Sequence, residues 1–155
     1  MKTLQPIKLI FIVAAYNEER RIAATIESIQ KFAHQIIIID PGSTDSTNSI
    51  AMNIFPVTIC KTNLAMFDVV GRFDEVVQFI NTEISNPWIF PMNCSERFTD
   101  SLGAQILEII NSNANIFGIR LYRQSYTMNT RTHERRLYHI AVSYTHLTLP
   151  TNREV

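Results

Sequence analysis

Two uninterrupted apolar runs constrain this chain more than any other feature. Residues 8–15 read KLIFIVAA, and residues 35–40 read QIIIID, with four isoleucines in succession. A strand with one wet face alternates apolar and polar residues, so a run without polar interruption needs cover on both faces. A parallel sheet flanked by helices supplies that cover. Each run leads into a polar loop, Tyr16-Asn17-Glu18-Glu19 after the first and Pro41-Gly42-Ser43-Thr44-Asp45 after the second. Between them Ile22, Ile26, Ile29 and Ala33 fall on one helical face, with Asn17 placed to cap the helix and Glu18 and Glu19 suited to its positive end.

The alternation continues. Thr44, Asp45 or Ser46 can cap a short helix through about Asn53, and residues 56–60 (PVTIC) form a weaker strand. Phe73, Val76, Val77, Ile80 and Ile84 mark an amphipathic helix that Asn86-Pro87 ends. Residues 88–92 (WIFPM) read as a strand with Pro91 near its end. Thr99 or Asp100 caps a helix carrying Leu102, Ile106, Leu107 and Ile110, and residues 116–122 give a further strand. Strand and helix in turn predict an α/β fold with a mostly parallel sheet.

Composition narrows the function. A length of 155 residues suits one domain, and 46% apolar with 18% charged residues is globular. Fourteen basic residues balance fourteen acidic ones, which disfavours a charge-driven grip on nucleic acid. Glycine occurs only at 42, 71, 103 and 118, so neither G-x-G-x-x-G nor the P-loop pattern exists. An oxidoreductase or nucleotidyltransferase built on those loops is thereby disfavoured. Cys60 and Cys94 form no C-x-x-C pair, no zinc spacing occurs, and Ser43 and Ser95 lack a triad partner. The apolar stretch 9–16 is too short to span a bilayer, and the expected location is cytoplasmic. His34 reads as a surface residue, Cys94 as packing, and Trp88 and the five methionines as core.

Ligands in open parallel sheets bind outside the carboxyl ends of strands. Three polar clusters follow apolar runs directly: residues 15–19, residues 40–45, and Asn93-Cys94-Ser95-Glu96. One such loop means little; three together favour a ligand cleft.

The same residues carry a family resemblance. IVAAYNEERRIAATIESI followed by IIIIDPGSTDSTNSIA resembles the nucleotide-binding half of a family 2 glycosyltransferase of the Rossmann-related GT-A fold. The resemblance implies transfer of a sugar from a nucleotide-sugar donor, often UDP-linked, to an acceptor hydroxyl. Surface polysaccharide or glycoconjugate synthesis is the pathway expected. Ala15, Tyr16 and Glu18 match positions that hold the nucleotide, and Asp40 matches the acid that contacts base or ribose. Asp40 also reads as a strand-end cap, while Ser43, Thr44 and Asp45 read as turn and cap residues.

Two departures stand out. Pro41 replaces a second aspartate, removing a carboxylate and a backbone donor. WIFPMNCSERFT aligns with the strand ending in D-x-D-E, whose aspartates hold magnesium or manganese against the donor diphosphate. Asn93 and Ser95 stand at those positions, which leaves Glu96 as the single candidate metal carboxylate. Three readings stay open: a metal-independent transferase, a weakened metal site through Glu96, and a non-catalytic nucleotide-sugar binding module. Arg120, Arg123, Arg131, Arg135 and Arg136, with His133 and His139 against Glu134, offer phosphate or acceptor contacts. A solvated basic face or a peripheral membrane contact reads equally well, and a lipid-linked acceptor fits either. No catalytic base is assigned.

The final residues need separate treatment. VSYTHLTLPT, residues 142–151, resembles the translation of an adapter used in preparing sequencing libraries. The expectation is a partial GT-A domain over residues 1–141, incomplete at its C-terminus, and a non-native tail over 142–155.

Overall fold

The computed structural model describes residues 8–62, 76, 78–84 and 87–112, together with the backbone of 118–122, 125–127, 130–132 and 137–143. Strand β1 (Leu9–Ala14), helix α1 (Ile22–Ile29), β2 (Ala33–Asp40), α2 (Thr47–Ile54) and β3 (Thr58–Lys61) come first. Then follow β4 (Trp88–Asn93), α3 (Asp100–Ser112), β5 (Gly118–Tyr122), β6 (Ser125–Thr127), β7 (Thr130–Thr132) and β8 (Leu137–Ser143). The main sheet has the order β3-β2-β1-β4-β8-β5, and β6 pairs with β7 separately. Strands β1 to β4 run parallel, as the apolar runs require. β8 lies antiparallel to both β4 and β5 and brings Val142 and Ser143 against Ile89 and Trp88. Residues 144–155 lie outside the described residues.

Pleating divides each central strand between two cores. Leu9, Phe11, Val13, Ile36, Ile38, Trp88, Phe90 and Met92 join Ile22, Ile26 and Ile29 of α1 and Ile106 of α3 on one face. Ile10, Ile12, Ile37, Ile39 and Ile89 meet Cys60, Val76 and Ile80 on the other. Full burial of each isoleucine contributes about 2 kcal/mol, and the removal of water from both faces explains the unbroken runs. Phe98 stands edge-on to Phe11, Phe90 and Phe32, with ring centroids 4.9–5.3 Å apart. Gly103 lets α3 press on that cluster: a Cβ there would lie 2.4 Å from the Phe32 ring.

Several local expectations change. Asn17 does not cap α1: the helix begins after Arg21, without a side-chain cap, and Asn17 adopts φ 51°. Ala33 starts β2 instead of ending α1. Residues 78–84 form turns, not a continuing helix, although Val76 and Ile80 are buried as the pattern required. Phe73 and Val77 fall outside the described side chains. Thr99 caps α3 through a 3.2 Å bond from Leu102 N–H. Met92 is core, whereas Met52 is 54% exposed.

Pro91 lies well inside β4, paired with Ile12 of β1. The amides of Trp88 and Cys94 donate to Lys8 and Ala14, so even-numbered N–H groups face β1 and odd-numbered ones face away. The amide that Pro91 lacks therefore belongs to the β8 side, where β8 reaches only Trp88 and Ile89. A proline is tolerated there because no ladder bond is lost.

Candidate functional site

The strand order places a topological switch between β1 and β4. From β1 the chain builds outward through β2 to β3, then returns to lay β4 on the other side of β1. Loops at the carboxyl edge part at such a point and leave a crevice. The loops after β1, β2 and β4 are the three polar clusters singled out in the sequence.

The first two loops are sewn together. Asn17 N–H donates to Ser43 Oγ at 3.0 Å, and Ser43 Oγ–H donates to Asp40 Oδ1 at 2.7 Å. One residue on, Glu18 N–H donates to Thr47 Oγ1 at 2.7 Å, whose hydroxyl donates to Asp45 Oδ1. Glu19 N–H reaches Asp45 Oδ2 at 3.1 Å. In return, Thr44 N–H donates to Asn17 Oδ1 and Ser46 N–H to Glu19 Oε2. Three consecutive amides of one loop are thus bound by the other, which satisfies backbone donors that would otherwise compete for solvent.

Asp40 is the centre of this arrangement. It is 1% exposed, and its Oδ1 also accepts the amides of Gly42 and Ser43 while Oδ2 accepts Asn48 Nδ2 at 2.6 Å. Burial alone would raise its pKa. The hydrogen bonds from Asn48, Ser43 and Gly42 outweigh burial and hold it below the usual carboxylate value. Gly42 closes the turn at φ 125°, a conformation L side chains rarely adopt. Asp45 is lowered in the same way: burial opposes, and bonds from Thr47 and Glu19 prevail.

The residues matched to nucleotide binding are each held in a different way. Ala15 is buried, and its amide continues the sheet ladder to Ile39 O. Glu18 pairs with Arg21 at 3.1 Å, and its carbonyl accepts the amides of Arg21 and Ile22. Tyr16 is 45% exposed and presents its ring at the carboxyl edge. Asp40 accepts three hydrogen bonds from its own loop and a fourth from Asn48 of α2. Ser43, Thr44 and Asp45 shape the turn, as expected, and in addition bind the neighbouring loop.

After β4 the chain turns back at once. Glu96 N–H donates to Asn93 O, and Glu96 Oε2 accepts Asn93 N–H at 2.7 Å. Cys94 is 1% exposed; burial pushes its thiol pKa up, against a hydrogen bond with Thr25. Phe98 N–H donates to Ser28 Oγ, and the Arg97 guanidinium reaches Thr25 and several main-chain carbonyls. Thr25 and Arg97 were not singled out from sequence. The available signals were a hydroxyl on the otherwise apolar stripe of α1 and a cation directly after the acidic loop residue.

The divalent cation that the family resemblance implies does not fit this donor set. Asn93 and Ser95 supply no carboxylate, and Glu96 is turned onto a backbone amide. Among the described residues no group of three or more His, Cys, Asp or Glu side chains could hold a metal ion. Arg120 pairs in register with His139, and Arg131 with Tyr126 on the separate ribbon; Arg123, His133, Glu134, Arg135 and Arg136 lie outside the described residues. No helix among the described residues is long and apolar enough to cross a membrane.

The chain matches the sequence model of glycosyl transferase family 2 over residues 10–150. It is 27% identical over 118 residues to the lipopolysaccharide core biosynthesis glycosyltransferase LpsC of Rhizobium meliloti, covering 74% of this chain and 41% of that protein. It is 29% identical over 105 residues to an uncharacterised glycosyltransferase of Rickettsia typhi, covering 68% of this chain and 34% of that one. The chain therefore matches less than half the length of either relative. In fold it resembles the crystal structure of 4-diphosphocytidyl-2C-methyl-D-erythritol synthase, with a TM-score of 0.54 at 10% identity, covering 92% of this chain and 77% of the other.

Proposed function

The chain belongs to glycosyl transferase family 2, and on that premise we propose that its carboxyl-edge loops bind a nucleotide-sugar donor for transfer of the sugar to an acceptor hydroxyl. The observation that carries this reading is the convergence of three polar loops at the switch between β1 and β4, two of them locked together by their own hydrogen bonds. A preorganised floor lowers the entropy cost of ordering loops around a nucleotide. Tyr16 offers an exposed ring to the base, and Asp40 holds the turn beside it. Glu18 is fixed between Arg21 and the second loop, and Ala15 sets the height of the floor.

We take the transferase to be metal-independent, with the leaving diphosphate neutralised by cationic side chains, of which Arg120, Arg123 and Arg131 are the candidates. The relative named for lipopolysaccharide core biosynthesis supports a surface-glycoconjugate acceptor, sugar- or lipid-linked. Calorimetric titration with UDP, GDP, dTDP and ATP tests donor binding. Saturable binding of a pyrimidine or guanine diphosphate, unaffected by ATP, is expected, and no binding of any of the four would end the reading. Manganese should leave the affinity unchanged; a hundredfold gain would end the metal-independent form.

A second reading, a nucleotide-sugar binding module without chemistry, is favoured by one observation. Glu96, the carboxylate retained from the family's motif, is occupied with Asn93 N–H. Donor binding without sugar transfer or donor hydrolysis would select it.

A further inference from the structure

Arg97 is an exposed residue whose guanidinium is nevertheless bound to the chain itself. Its Nη1 lies 2.8 Å from Thr25 Oγ1, 2.9 Å from Cys94 O and 2.8 Å from Glu96 O, and Nη2 lies 3.5 Å from Arg21 O. Thr25 is fully buried on α1, and its Oγ1 lies 2.6 Å from Cys94 O and 3.0 Å from Arg21 O. A hydroxyl has one proton and cannot serve both carbonyls. The guanidinium supplies the missing donors, and its charge strengthens each bond. Cys94, Glu96, Thr25 and Arg21 thus meet at one side chain, which joins the loop after β4 to the start of α1.

We propose that Arg97 is a positioning residue: it clamps residues 93–96 onto α1 and so fixes the loop that faces the donor diphosphate. This rests on the donor-binding reading above. The two Nη1 protons are shared among Thr25 Oγ1 and the main-chain oxygens of Cys94 and Glu96, so Arg97 acts through the loop. Thr25 is its partner in the same clamp. A lysine would keep the charge but lose the planar fork that spans these carbonyls.

Two measurements on the chain test this, with Arg97→Ala, Thr25→Val and the double variant. The first is iodoacetamide alkylation resolved by peptide mass spectrometry. Cys94 reports the clamped loop, and Cys60, buried in the opposite core, reports general unfolding. Each single variant should alkylate Cys94 about tenfold faster with Cys60 unchanged, and the double variant no faster, because both residues serve one clamp. The second is UDP affinity, which should fall about tenfold in each single variant and be restored in Arg97→Ala by added methylguanidinium.

Unchanged Cys94 protection in Arg97→Ala overturns the clamp, as does equal exposure of Cys60 and Cys94. UDP bound equally by wild type and Arg97→Ala overturns the positioning role while leaving the donor reading intact. Where the wild-type chain prefers GDP or dTDP, that nucleotide takes the place of UDP; if it binds none of the four nucleotides, the donor reading fails and the positioning role fails with it, even where Cys94 becomes exposed.

Discussion

The loops after β1 and β2 and the loop after β4 share one edge of the sheet but are held by different means. In the first pair, carboxylates and hydroxyls of each loop receive amides of the other, and Asp40 and Asp45 anchor the pattern. The third loop is held in another way: it rests on α1 through Thr25, Ser28 and the guanidinium of Arg97. Distributed support survives the loss of one bond, whereas the four bonds that Arg97 makes are lost together. The β1/β2 floor is therefore the rigid half of the crevice, and the β4 loop is the half that one substitution can release.

Asp40→Ala should break the rigid half with the largest effect. It strands the amides of Gly42 and Ser43 and the Asn48 side chain in a buried turn. A loss of about 3 kcal/mol is expected from urea unfolding, with Cys94 as unreactive in the folded state as in wild type. Gly103→Ala strikes the other half, forcing α3 away from Phe32. About 2 kcal/mol should be lost, read in the same unfolding experiment, because a filled contact between packed elements must open.

Gly42→Ala tests backbone geometry alone, since nothing lies within 4 Å of the added methyl. Strain at φ 125° should cost about 1 kcal/mol, seen as a lower urea midpoint with an unchanged slope. The shallowest change is with acidity. The Asp40 pKa is depressed in the folded state, so its contribution is present above the unfolded value near 3.9 and fades as pH falls through the folded one. Urea midpoints between pH 5 and 3 should therefore decline more steeply in wild type than in Asp40→Asn.

The sheet was legible because burial on both faces leaves an uninterrupted apolar signature; residues 8–15 and 35–40 could hardly have been anything else. The helix after β1 was legible through Ile22, Ile26 and Ile29, but its start was not. Asn17 has the chemistry of a cap, yet its carbonyl is taken by Thr44, a residue 27 positions away. Long-range pairing overrides a local preference without leaving a trace in the local pattern. The same applies to Asp40: a carboxylate at a strand end suits a ligand or its own turn, and the bonds to Gly42, Ser43 and Asn48 could be seen only once the turn was folded. Residues 78–84 show another limit, since the apolar spacing marked Ile80 as buried without fixing that the chain there is helical.

The outer side of β4 has a further consequence. Its amides are accounted for one by one: Ile89 faces β8, Pro91 has none to offer, and Asn93 is taken by Glu96. The upper half of this strand consequently offers no unsatisfied amide to a strand from another molecule. Open edges of that kind are where sheets from separate chains fuse and precipitate. A proline and a folded-back glutamate protect the strand against such fusion without the help of a ladder partner among the described residues.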